Sequence, residues 1–287
     1  MTDSAIRLAA IAAEAGEIVM RHYRAGAGAR WKDDRSPVTD ADEEAEAYIV
    51  AALAENFPDV PVAAEEAVAA GRVCDPCAHF FLVDPLDGTR EFLKRNGEFT
   101  VNIAEVKNGV PVAGAVYAPV VSKLYFGGAQ GAFEVSAVAG KAIGKRAAKM
   151  IHVRQPPAKG WVAAVSRSHP DAETDEFLKR FPVGHTIVAG SSLKFCLVAA
   201  GEADIYARGG RTMEWDTAAG HAVLRAAGGD VTSWDGSPFL YGKPGFANGG
   251  FVARANRATD RDHGARSRKP TPSIPRRQGK SRPRQGS

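Results

Sequence analysis

The sequence predicts a layered fold of α-helices and β-strands, because helical periodicity at the N-terminus gives way to a strand meander and then to an α/β alternation. Residues 4–24 carry apolar side chains at helical spacing, and Thr39 begins a second helix that runs to Asn56 and is closed by Pro58. Thr39 and Asp42 have the spacing of a capping box. The N-terminal region is therefore expected to be mainly helical.

Strands are expected to dominate the next part of the chain, after a polar loop at 30–37. One short strand is predicted at 60–64 and an apolar one at 80–83. Asn108-Gly109 marks the first turn of a strand meander, since this dipeptide suits tight hairpins. The meander strands are predicted at 100–106, 110–117 and 123–126.

Beyond a basic stretch at 141–154, predicted strands and helices alternate. The strands are expected at 161–165, 185–188, 203–207 and 230–234, and the helices at 171–180, 191–200 and 215–227. Such alternation indicates a second layer, of α/β type. The body is thus expected to comprise an α+β part over 1–155 and an α/β part over 156–253.

Composition is that of an ordinary globular protein, with 45% hydrophobic residues in a chain of 287. No run of about 18 apolar residues is present, so a transmembrane helix is not expected and a cytoplasmic protein is. Cys74 and Cys77 form a lone C-x-x-C, and Cys196 lies in an apolar stretch. Because a zinc site needs about four ligands, incidental cysteines are favoured over a zinc or redox site.

The basic character of the chain resides in its C-terminal segment. Residues 254–287 hold 11 Lys and Arg against two Asp, which leaves the preceding residues with 26 of the 37 basic and 31 of the 33 acidic side chains. This segment has too few apolar residues to offset the entropy of ordering and is predicted to be disordered. It is either a solvated extension or a contact for nucleic acid or for the anionic inner face of a membrane.

Acidic residues lie where predicted strands end. Asp84 and Asp87 follow an apolar strand, with Pro85 restricting φ and Gly88 permitting a tight turn. Carboxylates three residues apart, with an intervening carbonyl, form a plausible Mg²⁺ cluster. The alternative is a turn in which Asp and Gly only supply local hydrogen bonds.

Further carboxylates favour the metal interpretation. Glu65 and Glu66 close the short strand at 60–64, and Asp216 opens a helix after Trp215, where it could also be a cap. Together with the two aspartates of the turn, they supply the four or five carboxylates that hold two cations about 3.5 to 4 Å apart in phosphoryl-transfer sites.

Three blocks in this order resemble the inositol monophosphatase superfamily of lithium-sensitive metal phosphatases: Glu65-Glu66, the block from Asp84 to Thr89, and the block from Trp215 to Gly220. The stretches 84–120, 166–173 and 190–206 closely resemble CysQ-type 3′(2′),5′-bisphosphate nucleotidases. The resemblance spans about residues 5–253 and implies an αβαβα layered sandwich, the carbohydrate phosphatase fold.

The resemblance also implies residue roles. The implied ligands of two or three Mg²⁺ ions are Glu65, Asp84, the carbonyl of Leu86, Asp87 and Asp216. Asp42 and Thr89 resemble the pair that positions and deprotonates the attacking water, and Asp42 can also cap its helix. Glu66 is expected to help orient that water. Backbone N–H groups of Gly88 and Thr89 are expected to meet the scissile phosphate.

Substrate choice rests on other positions. By resemblance, the nucleoside monophosphate portion is held by Ser166, His169, Gly190 and Lys194. Lys194 supplies a charge for a retained phosphate, or else is a solvated lysine on an exposed helix face. Inositol monophosphatases carry a glutamate seven residues before the last aspartate ligand, where this chain has Gly209. Nearby Arg208 and Arg211 suit a more anionic substrate.

Three functions stand at this stage. The first is a nucleotidase for adenosine 3′,5′-bisphosphate, a by-product of sulfate activation. The second is an inositol-phosphate or sugar-phosphate phosphatase, which Gly209 opposes. The third is a protein that binds nucleic acid or membrane through the basic tail, with an incidental phosphatase body. A complete set of carboxylates argues for an active enzyme, because repelling charges cost stability without a cation.

Overall fold

A computed structural model describes most of the chain. The described residues are 4–26, 28–31, 37–72, 77–139, 148–168 and 171–255. The chain through Ala255 packs as one compact unit. Among the described helices, none combines the length and the apolar character needed to cross a membrane.

Helices and strands alternate irregularly along the described residues. The helices are α1 Ser4–Ala25, α2 Asp40–Asn56, α3 Glu65–Ala69, α4 Thr89–Leu93, α5 Ala172–Leu178, α6 Leu193–Ala199 and α7 Glu214–Ala226, with a 3₁₀ turn at Pro244–Phe246. The first strands are β1 Ala29–Trp31, β2 Pro37–Thr39, β3 Val62–Ala64, β4 His79–Asp87, β5 Thr100–Lys107, β6 Val110–Ala118, β7 Lys123–Gly128, β8 Gly131–Ser136 and β9 Lys149–Ile151. The later strands are β10 Trp161–Ser166, β11 Val183–Ala189, β12 Ile205–Arg208, β13 Thr212–Met213, β14 Gly229–Ser233, β15 Ala247–Asn248 and β16 Phe251–Ala255.

Two large sheets organise these strands. The first has the order β3-β4-β5-β6-β7-β8-β9 and is antiparallel except for the β3–β4 pair. The second has the order β11-β10-β12-β16-β14, in which β10, β11 and β12 are parallel and β16 is antiparallel to both of its neighbours. Strands β1 and β2 form a separate antiparallel pair, as do β13 and β15. The predicted boundary near residue 155 lies in the connection between the two sheets.

Helices cover or separate the sheets to give five layers. On β4, Phe81 and Val83 belong to the core that α1 and α2 make with the first sheet, because alternate side chains of a strand face opposite sides. Phe80 and Leu82 belong to the core that contains α6 and α7 and reaches the second sheet. Ala163 on β10 packs in a third core with α5. The order is αβαβα, so the predicted layered sandwich is confirmed.

Helix α7 lies unusually close to the first sheet. A Cβ atom at Gly114 on β6 would lie 2.8 Å from the carbonyl oxygen of Ala219, and one at Gly127 on β7 would lie 2.8 Å from the Cβ of Ala226. Both distances are too short for a side chain, so glycine is required at each position. The middle and the end of α7 therefore pack directly on β6 and β7.

Several short elements differ from the sequence-based prediction. The predicted loop at 30–37 contains β1 and β2 at its two ends, and its centre lies outside the described residues. The meander continues into β8 and β9, which were not predicted, and α3 follows β3 directly. Strand β16 was also missed, and Arg254 and Ala255 belong to it. The predicted tail therefore begins two residues too early, and the rest of it lies outside the described residues.

Candidate active site

A polar pocket of about 270 Å³ opens where β4 ends and α4, α6 and α7 begin. Most of the predicted site residues line it: Glu65, Asp84, Leu86, Asp87, Gly88, Thr89, Ser166, Gly190, Lys194 and Asp216. Asp42 and Glu66 do not line the pocket, and His169 lies outside the described residues. The fold thus brings together ten positions from five separate parts of the sequence.

The end of β4 carries two of the carboxylates. Pairing with β5 is regular up to Asp84, is interrupted, and is regained at Asp87. Within the interruption, the backbone N–H of Leu86 donates to Oδ1 of Asp84 at 3.0 Å. Gly88 then adopts a φ of +93°, a conformation that strongly favours glycine, and α4 starts at the next residue. The strand therefore ends in a turn that directs both aspartates into the pocket.

Asp42 is the third residue of α2 and closes a capping box with Thr39. The N–H and the hydroxyl of Thr39 donate to Oδ2 of Asp42 at 2.8 and 2.6 Å, so the predicted cap is confirmed. Oδ1 of Asp42 lies 3.4 Å from the Thr89 hydroxyl, which is also 3.3 Å from the carbonyl oxygen of Leu86. Capping thus holds one carboxylate oxygen while the other faces Thr89.

Two buried polar residues, missed from the sequence, hold Asp87. Oδ2 of Asp87 accepts from the N–H of Ser192 at 2.7 Å, and the Ser192 hydroxyl lies 3.0 Å away. That hydroxyl accepts from Nδ2 of Asn102 at 2.9 Å and lies 2.7 Å from the carbonyl oxygen of Asp216. The available signal was Asn102 itself, because an amide in a buried strand needs polar partners.

Asp216 occupies the third position of α7, since the helix begins at Glu214. The prediction that Asp216 opens this helix is therefore wrong by two residues, because Glu214 and Trp215 already have helical geometry. Oδ2 of Asp216 accepts from the N–H of Met213 at 2.8 Å. As at Asp42, a helix N-terminus holds one oxygen of an aspartate near the pocket.

The buried carboxylates repel one another. Burial, followed by the negative charges of Glu65, Asp87 and Asp216, raises the pKa of Asp84 well above its usual range. Burial and the charges of Asp87 and Glu65 do the same to the pKa of Asp216. Burial also raises the pKa of Asp87, although Lys194 and the hydrogen bonds from Ser192 oppose this shift. Burial and mutual repulsion therefore outweigh the nearby positive charges at the acidic end of the pocket.

This donor set fits a hard divalent cation. Carboxylate and carbonyl oxygens are the preferred ligands of Mg²⁺, and a cation would relieve the repulsion that raises these pKa values. In the described part of the chain, no three His, Cys, Asp or Glu side chains converge closely enough to form a ready-made chelate. The chemistry of the residues fits the predicted metal site, and the ligand assignment stays a prediction.

Lys194 is buried, with 2% of its surface exposed, so the alternative of a solvated lysine is wrong. Its Nζ donates to the carbonyl oxygens of Ser191 at 2.6 Å and Ala189 at 3.3 Å, and it lies 5.2 Å from the centre of the Tyr206 ring. Burial lowers the pKa of Lys194 to about 8, while the charge of Asp87 acts in the opposite direction. Lys194 lines the pocket at the start of α6.

Two arginines also line the pocket, Arg208 at the end of β12 and Arg211 just before β13. Nε of Arg208 is buried and has no hydrogen-bond partner within the described structure. A buried donor without a partner is costly and is typical of a group that meets a ligand. With Lys194, these arginines supply the cationic part of the pocket.

Gly209 has no room for a side chain. A Cβ atom there would lie 2.5 Å from the Trp234 ring and 2.8 Å from Oδ2 of Asp171. The N–H of Gly209 donates to Oδ2 of Asp171 at 3.1 Å and to the Thr174 hydroxyl at 2.8 Å. The position at which inositol monophosphatases carry a glutamate is therefore closed to any larger residue in this chain.

Glu66 borders a second cavity, which Glu46 and Trp31 also line. Its backbone N–H donates to Oε2 of Glu46 at 2.7 Å. Glu65 and Glu66 are consecutive residues, but Glu65 lines the active-site pocket and Glu66 lines the second cavity. Its expected role in orienting water stays a prediction.

Comparison with known proteins gives consistent results. The model of the inositol monophosphatase family matches residues 2–267. The 3′(2′),5′-bisphosphate nucleotidase CysQ of Escherichia coli (strain K12) is 43% identical over 251 residues, covering 84% of this chain and 95% of that protein. CysQ of Salmonella typhimurium is 44% identical over 214 residues, covering 72% of this chain and 81% of that protein.

A solved structure extends the similarity to three dimensions. The crystal structure of CysQ from Bacteroides thetaiotaomicron, described as a bacterial member of the inositol monophosphatase family, matches with a TM-score of 0.74 and 39% identity. The match covers 88% of this chain and 97% of that one. The family model and these relatives cover nearly all of the layered body, and this chain belongs to the inositol monophosphatase family.

Proposed function

We propose that this chain is a 3′(2′),5′-bisphosphate nucleotidase, which releases the 3′-phosphate of a small nucleotide such as adenosine 3′,5′-bisphosphate and leaves AMP. One observation carries the proposal: a single pocket combines repelling carboxylates with Lys194, Arg208 and Arg211. The acidic part suits a cation-assisted reaction at one phosphate, and the basic part suits a second phosphate that is kept. The bisphosphate nucleotidases among its relatives support this assignment.

The carboxylates of the pocket would hold Mg²⁺, in two or three ions. The proposed ligands are Glu65, Asp84, Asp87, Asp216 and the carbonyl of Leu86. When bound, Mg²⁺ would polarise the reacting phosphate and lower the pKa of the attacking water. Ser192 and Asn102 hold Asp87 in position, in the way that supporting hydrogen bonds fix metal-binding carboxylates.

Thr89 and Asp42 would receive the proton of the attacking water. The Thr89 hydroxyl accepts a hydrogen bond from the water and directs its own proton towards Oδ1 of Asp42, 3.4 Å away. As the water attacks, its proton passes to Thr89, whose proton moves to Asp42. Thr39 holds the other oxygen of Asp42, which keeps Oδ1 aimed at Thr89. Gly88 and Thr89 line the pocket where their N–H groups would meet the phosphate.

The basic part of the pocket would bind the retained 5′-phosphate. Lys194 uses two carbonyl contacts and has a third ammonium proton to offer, and the buried Nε of Arg208 needs an acceptor. Ser166 and Gly190 line the same pocket and would contact the nucleoside. A distant phosphate held this way positions the reacting one.

An inositol-phosphate phosphatase is the second candidate, and the closed position at Gly209 opposes it. Inositol hydroxyls need acceptors, whereas Trp234 and Asp171 leave no space for an acidic side chain at residue 209. The cationic groups nearby would leave a neutral polyol poorly matched. We therefore favour the more anionic substrate.

A panel assay of released phosphate, with and without Mg²⁺, tests the proposal. Adenosine 3′,5′-bisphosphate should exceed 3′-AMP and inositol 1-phosphate in kcat/KM by about 10² or more, the scale of one charge-assisted contact. Lys194→Met should erase most of this preference and change 3′-AMP hydrolysis little. Lys149→Met, at an exposed lysine of β9, is the matched control. A preference for inositol 1-phosphate would overturn the proposal.

A further inference from the structure

Helix α2 carries a second buried carboxylate, one turn after Asp42. Asp42 and Glu46 are spaced by four residues, so they lie on the same face of the helix. Their exposed fractions are 3% and 4%. A buried glutamate needs strong partners, because burial of an unpaired carboxylate is costly. Asp42 meets Thr39 and Thr89, whereas Glu46 points to a different element.

The partners of Glu46 are backbone donors of α3. Oε2 of Glu46 accepts from the N–H of Glu66 and Oε1 accepts from the N–H of Ala67, both at 2.7 Å. These are the second and third residues of α3, whose first-turn N–H groups have no acceptor within the helix. The residue before α3 is Ala64, which has no side chain that can cap. Glu46 therefore supplies the cap from another helix.

The first residue of α3 is Glu65, which lines the active-site pocket. A helix of five residues has little stability of its own, so its direction depends on contacts with neighbours. The bidentate hydrogen bonds to Glu46 hold the two peptide groups that directly follow Glu65. A rotation of this turn would move the Glu65 carboxylate relative to Asp84 and Asp216.

We propose that Glu46 is a positioning residue that fixes Glu65 for cation binding, so that α2 orients both the proton acceptor and the turn that carries Glu65. Through Asp42 the helix reaches the hydroxyl that receives the proton, and through Glu46 it holds the turn that carries Glu65. The role of Glu65 as a ligand rests on the proposed function.

Glu46→Gln tests the inference, since an amide keeps the shape but retains only one acceptor oxygen for two N–H donors. The Mg²⁺ concentration for half-maximal activity should rise about 10-fold or more, as when a hydrogen-bond partner of a metal ligand is lost. The rate at saturating Mg²⁺ should stay within about 3-fold of wild type. Mn²⁺ binding followed by electron paramagnetic resonance should weaken by the same factor, which provides a readout independent of turnover.

Asp204→Asn is the matched control. Asp204 is buried and accepts from the N–H of Val162 at 2.7 Å, but it does not line the pocket. The control should lower the melting temperature and leave Mn²⁺ affinity unchanged. If Glu46→Gln behaves in the same way, Glu46 is only a structural cap and the inference is wrong. A wild-type chain without any Mg²⁺ response would instead overturn the proposed function.

Amide hydrogen exchange of the wild-type chain gives a second test, which does not depend on whether a substituted chain folds. Coupling between cation binding and the α3 turn is reciprocal, so Mg²⁺ should slow exchange in the peptide that contains Glu66 and Ala67 by about 10-fold. Peptides of β16, which belongs to the other large sheet than the β3 strand before α3, should show no such change. Unchanged exchange at 66–67 in a chain that binds Mg²⁺ would contradict the inference.

Discussion

The N-termini of α2 and α7 have the same local design and different surroundings. Each helix has an aspartate at its third position that accepts the backbone N–H of the residue before the helix, from Thr39 to Asp42 and from Met213 to Asp216. At α2 a threonine hydroxyl adds a second bond, and the other carboxylate oxygen meets Thr89. At α7 the neighbours are other acids, and burial together with their negative charges raises the pKa of Asp216. The same cap therefore suits a proton acceptor in one place and a cation ligand in the other.

The largest expected effect is that of Asp216→Asn. The amide oxygen can still cap α7, so the fold should persist, but turnover should fall by about 10³ or more with the loss of several kcal/mol of cation-mediated stabilisation. The Mg²⁺-induced rise in melting temperature should also be lost. Phosphate release and thermal unfolding measure both. Near-normal activity would assign Asp216 to capping alone.

This variant also has a predicted pH signature when Mg²⁺ is absent. The folded pKa of Asp216 is raised, so its contribution to stability is complete below its unfolded pKa of about 4 and is lost as pH rises through the raised value. Because an asparagine does not ionise, Asp216→Asn should not lose this stability as the pH rises. In a chelator, the variant should therefore melt higher than wild type at pH 7.5, and the difference should disappear near pH 4.

Asp42→Asn tests the other side of the comparison. Its amide can still accept from Thr39, but it cannot take a proton, so hydrolysis should slow by about 10² to 10⁴. The Mg²⁺-induced rise in melting temperature should remain, in contrast to Asp216→Asn. Thr89→Val should give the same result, and Thr89→Ser should restore most of the rate. If Asp42→Asn loses the Mg²⁺-induced rise in melting temperature as fully as Asp216→Asn does, the proposed difference between the two helix N-termini is wrong.

A smaller effect, on the free energy of unfolding, is expected from substituting the residue that precedes α2 or α7. Thr39→Ala removes the side-chain cap and should cost about 1 kcal/mol of unfolding free energy. Met213→Thr should gain up to about 1 kcal/mol, because Met213 has the extended backbone geometry of a cap residue. Denaturant unfolding of both variants measures the difference. A destabilised Met213→Thr would show that the two caps are not equivalent.

The smallest effect is expected from truncation after Ala255. Strand β16 ends there and pairs with both β12 and β14, so the sheets stay complete. Turnover and melting temperature should match the full chain within error. Removal of β16 as well, by truncation after Gly250, should unfold the second sheet and serves as the contrast.

Much of the fold was predictable because long elements carry clear periodicity or apolar runs. Helix α1 was predicted from its periodicity, α2 from its capping box and the closing Pro58, and β4 from the apolar run that leads into Asp84. Helix α3 has five residues, too few for helical periodicity to be read. Local pattern cannot reveal that β16 lies between two strands distant in the sequence.

The sequence indicated which residues form the site, but not how those residues contact one another. Acidic positions at strand and helix ends indicated the pocket, and the structure brings them together. Burial of Lys194 was not predictable, because a lysine on a helix is normally solvated, and its carbonyl acceptors lie at the end of β11 and in the loop that follows. The support that Ser192 gives to Asp87 depends on the approach of two distant segments, which no local pattern records.

Ser192 has a consequence for how activity arises during folding. It is separated from Asp87 by 105 residues and from Asn102 by 90, and its contacts join the first sheet to the start of α6. Contacts between such distant positions are slow to form, because a long loop must close before they stabilise anything. Helices and local hairpins can thus form well before Asp87 is held in place. Catalytic competence is expected to be the last property that a refolding chain regains, and a fragment that lacks either partner of this contact should fold partly yet remain inactive.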